Sequence, residues 1–208
     1  TQPVGSPQDQ ALLKFVGKFE SKGGDYNILY GKYKGKTEKP LTEMTISEVF
    51  ELQEKMKSSG SSAVGAHQFI NSTLREEVEK QGISLDTKFT PQVQDTIILS
   101  RLKGMRGFDK FLSGEDTVEE FALELSREFA SMPNPKTGRS YYDGDGLNKS
   151  LTGVDEVIKM LNDIKASQGG QDNNQGYLRS QPQNTSKVAQ TSQRRQDNRG
   201  LRQPGTAR

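Results

Sequence analysis

Four stretches of this chain open with the residues that start helices, and they set the architecture. Ser6-Pro7 with Asp9, Thr45-Ile46-Ser47-Glu48, Thr90-Pro91 and Asp116-Thr117-Val118-Glu119 each offer a capping oxygen followed by a proline or an acid in the first turn. Behind each start, apolar residues recur at helical spacing. They are Leu12, Phe15, Val16 and Phe19; Ile46, Val49, Phe50 and Met56; Val93, Ile97, Ile98 and Leu102; Val118, Phe121, Ala122, Leu125 and Phe129. The same spacing predicts a helix over about 66–81, through Phe69, Ile70, Leu74 and Val78, and a last one over about 154–164. Met132-Pro133-Asn134-Pro135 stops the helix before it. Between Tyr26 and Gly35, aromatic and branched residues bounded by glycines predict a short β-hairpin that must lean on the helices. The expectation is an α+β, mainly α domain over residues 1–165.

Composition changes sharply after that point. Residues 166–208 are rich in Gln, Asn, Ser, Gly and Arg, with seven Lys or Arg against two Asp. Such a segment buries too little apolar surface to offset its ordering entropy, so it is expected to be disordered unless a partner holds it. Arg194, Arg195, Arg199, Arg202 and Arg208 could meet an acidic partner or, as a weaker reading, nucleic acid, or the segment could be a plain solvated end.

The overall charge of +2 is no nucleic-acid signature, and nucleic acid is not an expected partner. The chain has no cysteine and one histidine, His67, which removes thiol chemistry and leaves almost nothing for a multi-histidine metal centre. No metal and no cofactor is expected. No run is apolar enough to span a membrane, and no signal peptide is read at the N-terminus. Carboxylate acid/base work stands out among the chemistries left open.

One carboxylate is placed for it. Glu20 falls at the end of the first helix, at the edge of its apolar arc and just before Gly23-Gly24. The negative end of the helix dipole and partial burial against Val16 and Phe19 would both raise its pKa, as a general acid near neutrality requires. On these residues alone, a solvated acid ahead of a glycine C-cap is the better explanation of the stretch, since most helix-end acids are surface residues.

Several segments, in order, resemble the phage lysozyme-like muramidases, and most nearly the lambda-endolysin type of lytic transglycosylase. Glu20-Ser21 with Gly23-Gly24-Asp25-Tyr26-Asn27-Ile28-Leu29-Tyr30-Gly31 resembles that family's catalytic-glutamate segment. Leu41 to Val49, the glycine-glutamine stretch Ser61-Ser62-Ala63-Val64-Gly65-Ala66-His67-Gln68-Phe69-Ile70 with Thr73-Leu74, Phe89-Thr90-Pro91 with Gln94-Asp95, Phe129 to Pro133, and Gly138-Arg139-Ser140-Tyr141-Tyr142 with Gly144 resemble later segments. The resemblance covers about residues 8–162. It departs at His67, where the family often has an aromatic residue, and at Phe129, where it often has Trp.

The resemblance implies a lysozyme-like fold, Glu20 as the catalytic acid, and glycan strands of peptidoglycan as substrate. Asp25, Tyr26, Asn27, Tyr30, Ser62, Gln68 and Tyr142 are the implied sugar-binding residues. Gln68 can donate to and accept from an N-acetyl or hydroxyl group, and the tyrosines offer faces and hydroxyls, although each could equally pack. Asp25 is the nearest second carboxylate, but in a turn Asp often bonds its own backbone. Gly65 would let backbone approach the sugar. The product could be an anhydromuramoyl end or, from a hydrolytic muramidase, a reducing end. The setting implied is a wall-opening enzyme of the phage particle acting in the host periplasm, with residues 166–208 meeting virion proteins. The alternatives are an endolysin held in the host cytoplasm until lysis, or a structural virion protein that keeps the fold.

Overall fold

The computed structural model describes residues 2–21, 23–33, 35–144 and 149–179, the stretch 169–179 by backbone only. Among these it contains seven α-helices: α1 Pro7–Glu20, α2 Ile46–Met56, α3 Asn71–Lys80, α4 Pro91–Gly104, α5 Phe108–Ser113, α6 Val118–Glu128 and α7 Val154–Arg179. Mainly helical architecture is therefore as the periodicity predicts. No helix among the described residues is long and apolar enough to cross a membrane.

The caps form as their residues dictate. Ser6 and Asp9 make a reciprocal capping box on α1, as do Thr45 and Glu48 on α2. On α6 the box pairs Thr117 with Glu120, one residue beyond the expected acid. Thr90 caps α4 through its hydroxyl, with Pro91 in the first turn. Each such cap is worth about 1 kcal/mol against alanine.

One continuous core joins these helices. Leu12 and Val16 of α1, Ile97, Ile98 and Leu102 of α4, Phe121 and Leu125 of α6, and Val157, Leu161 and Ile164 of α7 are all buried in it. α7 packs on both α1 and α6, so the last described helix closes over the first. Phe108, Phe111 and Phe121 stack with ring centroids 5.2–6.3 Å apart and lock α5 against α6. Each is fully buried, which contributes about 1.5–3 kcal/mol relative to exposure.

Three expectations need correction. No hairpin forms within 26–35 among the described residues. Leu29 instead bridges Val64, and Val64 bridges Phe69, all antiparallel. Tyr30 N–H donates to Ala63 O (2.9 Å) and Gly65 N–H to Ile28 O (2.8 Å). The chain thus pairs 28–30 with 63–65 because Val64 and Phe69 are buried there, and tertiary burial outweighs the local turn. The second correction is the start of α3. Residues 66–70 are a turn and a short extended piece, with Ile70 at the N-cap, so Phe69 and Ile70 belong to the pairing and not to the helix. The third is α7, which continues to Arg179, beyond the helix end expected near Ile164. The rest of the arginine-rich segment, 180–208, lies outside the described residues.

Candidate active site

The loops that α2, α3 and α4 hold in place form one bank of a cleft of about 660 Å³, and the ends of α1, α4 and α6 form the other. Glu20, Tyr30, Gln68 and Tyr142 all line it. These four expected site residues come from three separate segments of the chain, and the fold brings them together.

Glu20 is the last residue of α1. The chain leaves that helix in a tight wrap, with Ser21 and Gly24 N–H both donating to Gly17 O at 3.2 and 3.0 Å. Gly24 is at φ +89, a conformation that suits only glycine without strain. The Glu20 carboxylate is partly buried and reaches Ser131, beyond the end of α6. Ser131 Oγ–H donates to Glu20 Oε1, and Ser131 N–H points at the same oxygen from 3.4 Å. Burial pushes the Glu20 carboxyl above its ordinary value of 4.5. The two Ser131 donors pull it part of the way back, and the neighbouring charge of Glu128 pushes it up again.

Behind Glu20 lies a charged network that periodicity alone does not reveal. Arg101 of α4 donates to Glu77 of α3 (2.9 Å) and to Glu128 of α6 (2.8 Å). Arg106 donates to the other oxygen of Glu128 (2.8 Å) and to Glu124 (3.1 Å). The Glu128 side chain is only 7% exposed and that of Glu77 fully buried. Burial alone would weaken the Arg101 cation, but Glu128 and Glu77 against it more than offset that, and its pKa rises. Both Glu128 oxygens are thus taken by guanidinium groups.

The remaining expected site residues have partners within the protein. Asp25 Oδ1 accepts from Asn27 N–H (2.8 Å), an Asx turn. Asn27 Oδ1 accepts from Thr42 N–H and Oγ–H at 3.0 and 3.1 Å, tying the turn to the chain ahead of α2. Ser62 is buried, and its Oγ accepts from Asn71 N–H (2.9 Å), supplying the side-chain cap that Ile70 cannot give α3. Tyr26 donates its hydroxyl to the Asp95 carboxylate at 3.0 and 3.1 Å, and burial followed by that negative neighbour pushes its pKa up to about 12. None of these four lines the cleft. They shape the loops that do.

Gln94 and Asp95, adjacent on α4, hold those loops. Gln94 Nε2 donates to Tyr26 O and Phe89 O, and its Oε1 accepts from Ala66 N–H, each at 3.0 Å. Asp95 bonds His67 Nε2 at 2.8 Å. His67 and Phe129 are both buried and both line the cleft. Gly65, at φ +74, makes room for Gln94: a Cβ there would lie 2.3 Å from Gln94 Oε1. Gln68 is itself at φ +48 and folds its amide back to Gly65 O (3.0 Å), a contact a ligand could replace. Tyr142 Oη–H donates to Arg127 O (2.6 Å), which leaves its ring as the surface facing the cleft.

Ser131, Glu128 and the two arginines are the site residues that sequence reasoning missed. The one available signal was Glu128, an acid that falls beside Phe121 and Leu125 at the edge of the apolar face of α6. Among the described residues no group of three or more His, Cys, Asp or Glu is placed to hold a metal ion. The chain matches no protein-family model, and comparison with curated proteins and with solved structures gives no match.

Proposed function

We propose that this chain is a peptidoglycan lytic transglycosylase with a lysozyme-like fold, cleaving the β-1,4 bond between N-acetylmuramic acid and N-acetylglucosamine with Glu20 as its acid. The observation that carries this reading is the state of Glu20: a partly buried carboxyl with a raised pKa, held by Ser131 at the wall of an open cleft. A general acid for a glycoside must hold its proton near neutrality and meet the leaving oxygen at the edge of the sugar.

The chemistry needs one carboxyl. Glu20 gives its proton to the glycosidic oxygen as the bond to C1 breaks. The resulting carboxylate, stabilised by the two Ser131 donors, then takes the proton of the muramoyl C6 hydroxyl. That oxygen attacks C1 and closes a 1,6-anhydro ring, and Glu20 ends protonated as it began. No water is consumed. Transglycosylase is favoured over hydrolase because, among the described residues, no second carboxylate lines the cleft free of protein partners. Asp25 is occupied in its own turn and does not line the cleft, and both oxygens of Glu128 are bonded to arginine. Tyr30, Gln68 and Tyr142 are the groups offered to the sugars. Service in a phage particle, with the basic C-terminal segment meeting virion proteins, is the setting we favour for it.

The test is digestion of purified peptidoglycan, with mass spectrometry of the fragments. Anhydromuramoyl ends, absent with Glu20→Gln, are the expected result. Reducing ends would replace the reading by a hydrolytic muramidase, and intact peptidoglycan would refute it.

A further inference from the structure

Glu128 is a buried carboxylate that the reaction above does not use, at the wall of the same cleft as Glu20. It sits at the C-terminal end of α6, three residues before Ser131, whose N–H and Oγ–H both address Glu20. Arg101 takes its Oε1 and Arg106 its Oε2, each at 2.8 Å from Nε, so it can neither turn toward a sugar nor leave. Such a double clamp fixes where a negative charge stands. Without it, the two guanidinium groups would themselves face the cleft with fewer counter-charges and would favour the ionised form of any carboxyl nearby.

We propose that Glu128 is a positioning residue for the acid: with Arg101 and Arg106 it forms a charge-balanced wall that keeps Glu20 in its protonated form. This rests on the reading of Glu20 as a general acid for its purpose, but not for its measurement. The balance is set by few groups. Arg101 and Arg106 reach the cleft from α4 and the turn after it, and Arg127 from the end of α6. Glu77 shares Arg101, and Glu124 shares Arg106 and Arg127. Lys149, Tyr30, His67 and Tyr142 also line the cleft, from loops. Glu128 is the one cleft-lining anion besides Glu20 among the described residues. Burial first, and after the opposing Ser131 hydrogen bonds the charge of Glu128, act on the Glu20 carboxyl in the direction this requires.

Removing either sign from the wall must move Glu20 in opposite directions. Glu128→Gln frees two cations and lowers its titration midpoint. Arg106→Gln removes one cation, leaves Glu128 less compensated, and raises it. A general loosening of the fold cannot produce opposite shifts, since admitting water lowers the midpoint in both. The experiment is carboxyl-carbon NMR titration of the full chain carrying labelled glutamate, with the Glu20 signal assigned by its loss in Glu20→Gln. The expected result is a downward shift in Glu128→Gln and an upward shift in Arg106→Gln. No shift, or shifts of one sign, overturns the proposal. If Glu128→Gln fails to fold, the upward shift in Arg106→Gln decides; if Arg106→Gln fails, the double variant Glu128→Gln/Arg106→Gln, which removes one charge of each sign, should return the midpoint toward wild type, and a further fall would overturn the proposal. The titration needs no substrate, so a chain that shows these shifts but leaves peptidoglycan intact refutes only the proposed function. A chain that cleaves but shows no shifts refutes only this inference.

Discussion

Gly65→Ala tests the loop bank most directly. The new methyl would lie 2.3 Å from Gln94 Oε1 and 3.0 Å from Gln94 Cδ, so the Gln94 amide has to move. That amide is fully buried and its Oε1 accepts from Ala66 N–H. Losing that bond leaves a buried N–H unpaired, at a cost of about 1–3 kcal/mol. Holding alanine in the left-handed region adds about 1 kcal/mol. The sum is about 3 kcal/mol, which for a chain of this size lowers Tm by roughly 6–12 °C. Gly24→Ala is the control. Gly24 is also left-handed, but a Cβ there meets nothing within 4 Å, so only the backbone term of about 1 kcal/mol applies, roughly 2–4 °C. Thermal melts followed by circular dichroism give both numbers. Equal losses in the two variants would refute the argument that Gly65 exists to admit Gln94, and would return it to a role at the substrate.

Glu20→Gln should lower turnover on peptidoglycan by at least about 100-fold. The same variant should melt above the wild type at pH 7. With its folded pKa raised, the Glu20 carboxyl stabilises the fold fully only below its unfolded value of 4.5, and that contribution is lost as pH rises through the folded value. Glutamine has no such loss, so the gain should vanish below pH 4.5, and a gain equal at all pH would contradict the assignment. Ser131→Ala removes a donor that lowers the Glu20 pKa, so the alkaline limb of the pH–rate profile should move up while maximal turnover falls; an unmoved limb would show that Ser131 does not act on the acid. Asp25→Asn keeps an oxygen for Asn27 N–H, so cleavage should stay within a few-fold of wild type with unchanged product ends, and a loss as deep as that of Glu20→Gln would favour a hydrolase.

The helices were legible because their starts are written locally. Ser6, Thr45 and Thr90 sit where a hydroxyl must satisfy orphan N–H groups, and the apolar residues behind them keep one period. The pairing of Leu29 with Val64 was not legible, because nothing near Tyr26 to Tyr33 states that its partner is 35 residues away. Phe69 and Ile70 fit a helical period by accident of spacing and lie instead in the short extended piece before α3. Glu20 was visible from its place at a helix end, but its partner Ser131 is 111 residues distant, and only packing of α1, α4, α6 and α7 brings the two into contact. Tyr26, Asn27 and Ser62 do not line the cleft, and their side-chain oxygens bond Asp95, Thr42 and Asn71, partners far enough along the chain that no local pattern names them.

The arginine–glutamate network constrains how this sequence can drift. It joins Glu77, Arg101, Arg106, Glu124 and Glu128 across α3, α4 and α6, with its central members nearly out of water. Losing a central member leaves its buried partners short of a counter-charge, at a cost of up to about 3–5 kcal/mol, a large share of the stability of an ordinary domain. Replacing the central members together by apolar residues that fill the same volume can be neutral or even stabilising. Single substitutions therefore cross a deep valley and block exchange crosses none. Arg101, Glu77 and Glu128 should change as a set among descendants of this chain, while an exposed pair such as Lys159 and Asp163 is free to come and go one residue at a time.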